Sequence, residues 1–399
     1  FAGIASFKEQ NKRNNKLEFS AMRHVADKER ICAIVRKVIG WIRLSQVPNE
    51  KKKITFILST YPGKPWLMGH AVGLDVFKSL ETILGDLGIT KKIENLNIAK
   101  ELSSKVITIP IKNYEKYLNL LPKKLKKKLN KFWGDPVQDD FCKNGKFIFK
   151  AFYFKNCLIA LQPERGSHSD RENSYHDLDA VPRHSYVAFY FWLKHEFKSD
   201  LIIHVGAHGT LEWLPGKSVG LSNECWPEIL LGDIPVIYPF IMNDPGESAQ
   251  AKRRINALTI GHIPPAIVKA GEVKKLSKLE SLLDEFSNAA GLDLKRRDRL
   301  KVKIKEEVEE AGLQNILGIK DEKDENEILT KIDKFVCDVK DSQFGEGLHV
   351  YGRVNNDKYS FDAKDSALHE KKNLLKAING KRIDAGVSGS PFRGRFDVL

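Results

Sequence analysis

The pattern of apolar and polar positions divides the chain into four stretches. Over residues 1–50 a polar opening gives way to Ile31, Ile34, Val35, Val38, Ile39 and Ile42, spaced by three and four, which predicts an N-terminal helical segment. From Lys51 the period changes. Short β-branched runs stand at Ile54–Ser59, Val106–Ile111, Cys157–Leu161, Leu201–Val205 and Ile234–Ile237, most with Gly or Pro close by. Helix-like stretches such as Val76–Leu87 and Ser185–Phe197 lie between several of them. Continuously apolar strands have no water-facing side, so residues 51–265 are expected to form an α/β domain, a mostly parallel sheet with covering helices. After about Pro265 the strands stop. Leu276, Leu279, Leu282, Leu283 and Phe286 share one helical face, and Ile328, Ile332, Phe335, Val336 and Val339 share another. With the charged stretch Lys295–Glu310 between them as a surface helix, residues 266–345 read as a helical region. Residues 346–399 read as a polar, Gly-rich tail, and no internal repeat is evident.

Composition narrows the class. Of the 399 residues 42% are apolar and 30% charged, the profile of a globular protein with a sizeable core. No apolar run approaches the roughly 20 residues that span a bilayer, so no membrane partner is expected. The net charge of +14 is mostly lysine, densest in Lys123–Lys131. Lysines on a helix are most often a solvated face, and no reading motif accompanies them, so no nucleic-acid partner is expected. Five cysteines lie scattered with no CxxC pair, which argues against a disulfide framework or a Cys-based zinc site and for a reducing cytoplasm. The chain opens at Phe1 with neither a Met nor a leader and reads as an internal fragment.

The densest candidate chemistry is His204-Val-Gly-Ala-His208-Gly-Thr-Leu-Glu212-Trp-Leu-Pro-Gly-Lys217. It begins in the strand Leu201–Val205 and runs past its end, and in an α/β sheet the carboxyl ends of strands are where ligands bind. Gly206 and Gly209 allow sharp turns, and Thr210 can cap a short helix carrying Glu212. Two imidazoles and a carboxylate suit a divalent ion such as Co²⁺, and either type can accept a proton. The bland reading is a core histidine followed by an ordinary first-turn glutamate. Pro215-Gly-Lys-Ser is no phosphate loop, because Leu211 stands where the Walker pattern requires glycine. ATP is therefore not expected to bind this chain. A second cluster joins Gln162-Pro-Glu-Arg165-Gly to Tyr175, His176 and Pro182-Arg-His184. Arg165, His176 and His184 are candidates for carboxylates or a metal, against a plain surface loop. A third runs from Asn243-Asp-Pro-Gly-Glu247 to Lys252-Arg253-Arg254, where the rival is a capped helix with a solvated basic face. The aromatic run Tyr186–Leu193 reads as core packing, or in part as the wall of a flat pocket.

Taken together, HVGAHGTLEWLPGK, YHDLDAVPRHSYVAFYFWL and YPFIMNDPGESAQAKRR resemble signature blocks of the CobN/magnesium-chelatase large-subunit family. So do STYPGKPWLMGHAVGLD, WGDP, GLHVYGR and the closing stretch from Gly389, in the same order, so the likeness covers nearly the whole chain from about Ile31. Glu212–Lys217, Tyr238-Pro-Phe240 and Asp244–Glu247 are similar to the cobalt branch, whereas many magnesium-branch sequences have Phe-Met at Trp213-Leu214. Ala207 departs from the Lys or Thr common in the cobalt branch.

The resemblance implies a very large subunit that takes up Co²⁺ as its substrate metal and inserts it into a corrinoid, hydrogenobyrinic acid a,c-diamide. It also implies an AAA+ ATPase partner and a third chelatase subunit, with ATP and Mg²⁺ used there rather than here. On that expectation His204, His208 and Glu212 bind Co²⁺ or take up ring protons. Arg165, Lys217, Lys252 and Arg253 neutralise substrate carboxylates, Trp213 or Tyr175 packs on the ring, and His176, His184 and Glu247 complete the lining. The alternatives are a magnesium-chelatase subunit acting on protoporphyrin and a tetrapyrrole-binding protein without catalysis.

Overall fold

The computed structural model describes residues 4–60, 68–69, 71, 73–89, 97–166, 179–206, 209–241, 245–262, 273–289, 294–310, 313–314, 317, 319, 328–329, 331–333, 335–336, 348–353 and 361–381. A two-stranded antiparallel hairpin, β1 (Ser6–Gln10) and β2 (Met22–Ala26), opens the chain and leads into α1 (Lys28–Gln46), capped by the Asp27 side chain. The alternating part follows in the order β3 (Ile54–Leu58), α2 (Val76–Asp86), α3 (Ile98–Ser104), β4 (Val106–Pro110), α4 (Ile111–Leu118), α5 (Lys123–Trp133), β5 (Cys142–Lys143), β6 (Lys146–Phe154) and β7 (Cys157–Leu161). It continues with α6 (His184–Trp192), β8 (Leu201–Val205), α7 (Trp226–Leu231), β9 (Val236–Ile241), α8 (Pro245–Ile255) and β10 (Leu258–His262). The helices α9 (Val273–Ala289), α10 (Leu294–Glu310) and α11 (Phe361–Ile378) complete the described elements.

The sheet has eight strands in the order β10-β9-β8-β3-β7-β6-β4, with β5 on β6. From β10 to β7 every pairing is parallel, and β6, β4 and β5 add an antiparallel edge. The expected α/β architecture is present. Every residue of β3 and β8 is buried, because helices cover both faces. The strand period of two sorts side chains between two cores. Phe56, Leu58, Ile203 and Val205 pack with α2, α3 and α11. Ile57, Ile202, Val236 and Tyr238 pack with α4 to α8. The aromatic run of α6 lies wholly in this second core, as the packing reading held. The chain passes from β3 to β7 on one side and then to β8 on the other, so the order reverses around β3, and in open α/β sheets ligands bind at the strands' carboxyl ends beside such a reversal.

The helical region has its own core, in which Leu279, Leu283, Ile304, Val308, Ile328 and Ile332 meet. Two stretches differ from their sequence reading. Residues 1–50 hold a hairpin as well as a helix, since β1 and β2 pair with each other and carry little apolar periodicity. The supposed polar tail contains α11, whose Leu374, Ala377 and Ile378 pack into the core beside the sheet with Tyr351. A polar exterior had masked that narrow stripe. Lys52 anchors it: only 1% exposed, its Nζ reaches the Ile378 carbonyl at 2.9 Å and Asn379 Oδ1 at 2.9 Å, a cation set at a helix C-terminus. Among the described residues no helix is long and apolar enough to cross a membrane.

Candidate functional site

β8 and β9 run side by side, with Ile202 opposite Val236 and Ile203 opposite Ile237. The next step of the ladder brings His204 beside Tyr238, both on the face covered by α6 and α8. Their rings stack with centroids 4.7 Å apart and planes 13° from parallel. Past Val205 the backbone turns at Gly206, whose φ of 148° lies where side chains rarely go and whose missing side chain leaves room for Ser59. Leu211–Trp213 then form a single tight turn that points Glu212 back under the strand end. The Tyr238 hydroxyl donates to Glu212 Oε1 at 3.1 Å and Oε2 at 3.0 Å. At Gly209 an added Cβ would lie 3.1 Å from His204 Cε1 and 3.2 Å from Glu212 Oε2, and would collide with the Tyr238 hydroxyl. His204, Tyr238 and Glu212 therefore converge on one point that only glycine leaves open. Burial, and then the Glu212 charge, raise the Tyr238 phenol well above its ordinary value, so it remains a donor.

The turn is held from outside by Arg254. Its Nη1 donates to the Glu212 carbonyl at 2.6 Å, Nη2 to Leu214 at 2.8 Å and Nε to Lys217 at 3.2 Å. Tyr186 bonds Thr210 Oγ1 at 2.7 Å from the other side. A fork of fixed geometry can satisfy three carbonyls that a single ammonium cannot. Glu212 and Arg254 are 1% and 2% exposed, and His204 4%. Sequence reasoning named Arg254 only within a basic triplet and Tyr238 only within a family block, and gave neither a place in the site. The signal for Arg254 was its phase, since Ala251, Arg254 and Ile255 fall on one buried helical face while Arg253 points out.

The remaining candidates are dispersed. His208, Tyr175 and His176 lie outside the described residues. Glu247 sits on the first turn of α8. Lys217 is exposed, with its Nζ 5.8 Å from the centre of the Phe7 ring. Lys252 is half-buried, and Arg253 lines a cavity of about 20 Å³ with Arg30 and Lys37, room for one water rather than for a ring. Arg165 is 3% exposed and donates to the Trp213 carbonyl at 3.1 Å and the Ala180 carbonyl at 3.2 Å, which ties the two loops together. Among the described residues no three His, Cys, Asp or Glu side chains converge as a metal-binding group. The described part of the expected set is the His204–Glu212 pair.

His184, expected among the lining residues, lies apart from the His204–Glu212 pair. It is fully buried: Nε2 lies 3.1 Å from the Gly134 carbonyl and Nδ1 2.8 Å from the Tyr114 hydroxyl. The carbonyl requires Nε2–H, and burial favours the neutral ring, in which Nδ1 accepts from the Tyr114 hydroxyl. Next to it, buried Arg183 bonds Asp139 at 3.2 Å and Asp140 at 2.7 Å between the rings of Trp133 and Phe141. Pro182-Arg-His184 is thus a scaffold. Burial holds His184 below the ordinary value of 6.5. As pH falls under 6.5 the unfolded chain takes up a proton here and the folded chain does not, so stability is full above that value and declines below it. The urea midpoint should fall between about pH 7 and pH 5, with a shallower slope in His184→Gln; equal slopes would place the titration elsewhere.

A family model described as CobN/Magnesium Chelatase matches residues 3–362, and the chain belongs to that family. The aerobic cobaltochelatase subunit CobN of Pseudomonas aeruginosa is 35% identical over 380 residues, 90% of this chain and 30% of the relative. A magnesium-chelatase subunit of Rhodobacter capsulatus is 26% identical over 383 residues, 89% of this chain and 31% of the relative. The solved catalytic subunit of cobaltochelatase from Mycobacterium tuberculosis superposes with a TM-score of 0.60 at 29% identity, covering 92% of this chain and 32% of that one. The chain spans about a third of the length of the relatives it matches.

Proposed function

We propose that this chain is the metal- and macrocycle-handling part of a cobaltochelatase large subunit, which inserts Co²⁺ into a corrinoid while partner subunits hydrolyse ATP. The observation that carries this reading is the convergence of His204, Tyr238 and Glu212 at the carboxyl ends of β8 and β9. Metallation requires a group that strips water from the cation and a base for the pyrrole protons. An imidazole and a carboxylate do both. The Tyr238 hydroxyl donates to both oxygens of Glu212 and fixes in the turn a carboxylate, a group whose chemistry suits a proton or a cation. His208, four residues before Glu212, would supply the third ligand. Lys217 and Arg253 are exposed cations of the right sign for the carboxylates of a corrinoid.

Since His204 and Glu212 are only 4% and 1% exposed, this reading requires the strand ends to open before ring and metal can reach them. In this reading that opening is the work of the ATPase partner. Cobalt is favoured over magnesium because the cobaltochelatase relative stands at 35% identity and the magnesium-chelatase one at 26%. A reconstituted complex offered both metals, each with hydrogenobyrinic acid a,c-diamide and with protoporphyrin, should metallate only the corrinoid and only with cobalt. Turnover of protoporphyrin with magnesium would assign the other branch.

A further inference from the structure

The period that opens the chain forecasts a buried stripe, and the fold turns it outward. On α1, Ile31, Val35, Val38, Ile39 and Ile42 are 40%, 49%, 45%, 49% and 50% exposed. The opposite side of the helix meets the domain through Ala33, Gly40 and Leu44, with Gly40 set so close to the Asp233 carbonyl that a Cβ would collide. Five β-branched side chains within an arc of about 100° form one apolar face, not scattered surface residues. A second observation lies beside it in sequence. Among the described residues the β1–β2 hairpin pairs with no other strand, and it leaves Leu17, Phe19 and Met22 at 71%, 62% and 58% exposure.

We infer that this face is a docking surface for another part of the same full-length subunit, one outside the present 399 residues. The chain spans 30% of the Pseudomonas relative and 32% of the Mycobacterium chain, so more than two thirds of such a subunit lies elsewhere. The occupant is apolar along its centre and acidic along one edge, because exposed Arg36 flanks the stripe on the side where Arg43 already meets Asp233 at 3.6 Å. Nothing in this inference depends on the chemistry of His204 and Glu212, so either reading can fail without the other.

Cys32 is an exposed thiol at the edge of the stripe, one helical turn before Val35 and two before Ile39. In the native full-length subunit its maleimide labelling, resolved by peptide mass spectrometry, is expected to be at least about tenfold slower than that of the Lys127→Cys variant on the exposed side of α5. A photoreactive benzoylphenylalanine placed at Val38 should cross-link within the same polypeptide, to a peptide outside residues 1–399. Equal labelling rates overturn the proposal. So does a Val38 cross-link to a second copy of the subunit or to a different protein.

Discussion

Glu212→Gln is expected to lower the rate of cobalt insertion by about 10²- to 10⁴-fold, the range that a positioned acid–base group supplies. The amide is the same size and still accepts the Tyr238 hydroxyl through its oxygen, so the tight turn keeps its place. What it loses is the negative charge and the ability to take a proton. It also brings an NH₂ group to the point that Gly209 leaves open beside His204. Stability should change by no more than about 1–2 kcal/mol, one hydrogen bond to a charged acceptor exchanged for a neutral one. Insertion rate in the complex with its ATPase partner and the thermal midpoint of the purified subunit together check this. An unchanged rate removes Glu212 from the reaction, and a collapsed midpoint shows that the charge is needed for folding instead.

The second large effect concerns stability. Arg254→Ala leaves the carbonyls of Glu212, Leu214 and Lys217 without the guanidinium that serves all three. Hydrogen bonds to a charged donor contribute about 1.5–3 kcal/mol, and each buried group left unsatisfied costs about 1–3 kcal/mol. Allowing for overlap between these, the loss is roughly 3–6 kcal/mol, large for any domain. Arg254→Lys should recover only a fraction, because one ammonium cannot span three carbonyls. Urea unfolding of the two variants measures the difference. A loss under about 1 kcal/mol would mean that the turn is held by other contacts.

The sheet was legible because strands buried on both sides have to be mostly apolar, as β3 and β8 are apart from Thr55 and His204. The candidate block stood out because His204 lies next to the last residue of a strand and a glycine-flanked bend follows. Periodicity shows that a helix has an apolar face but not what that face meets, and for this reason α1 carries its stripe outward and α11 was read as tail. The burial of a titratable side chain is set by neighbours remote in sequence. His184 is enclosed by Tyr114 and Gly134, 70 and 50 residues away, and nothing near it in the chain announces either partner. Tyr238 joins the site through strand adjacency alone, a property of the sheet order that no local pattern encodes.

If His204 and Glu212 act on the same metal and the same protons, they act as a unit. The decisive measurement is a double-mutant comparison of single-turnover cobalt insertion by His204→Gln, Glu212→Gln and the pair together. The combined variant should be no slower than the slower single one, because groups that work together are strongly non-additive. Losses that multiply, or singles that insert cobalt at the parent rate, would contradict a shared site at the ends of β8 and β9.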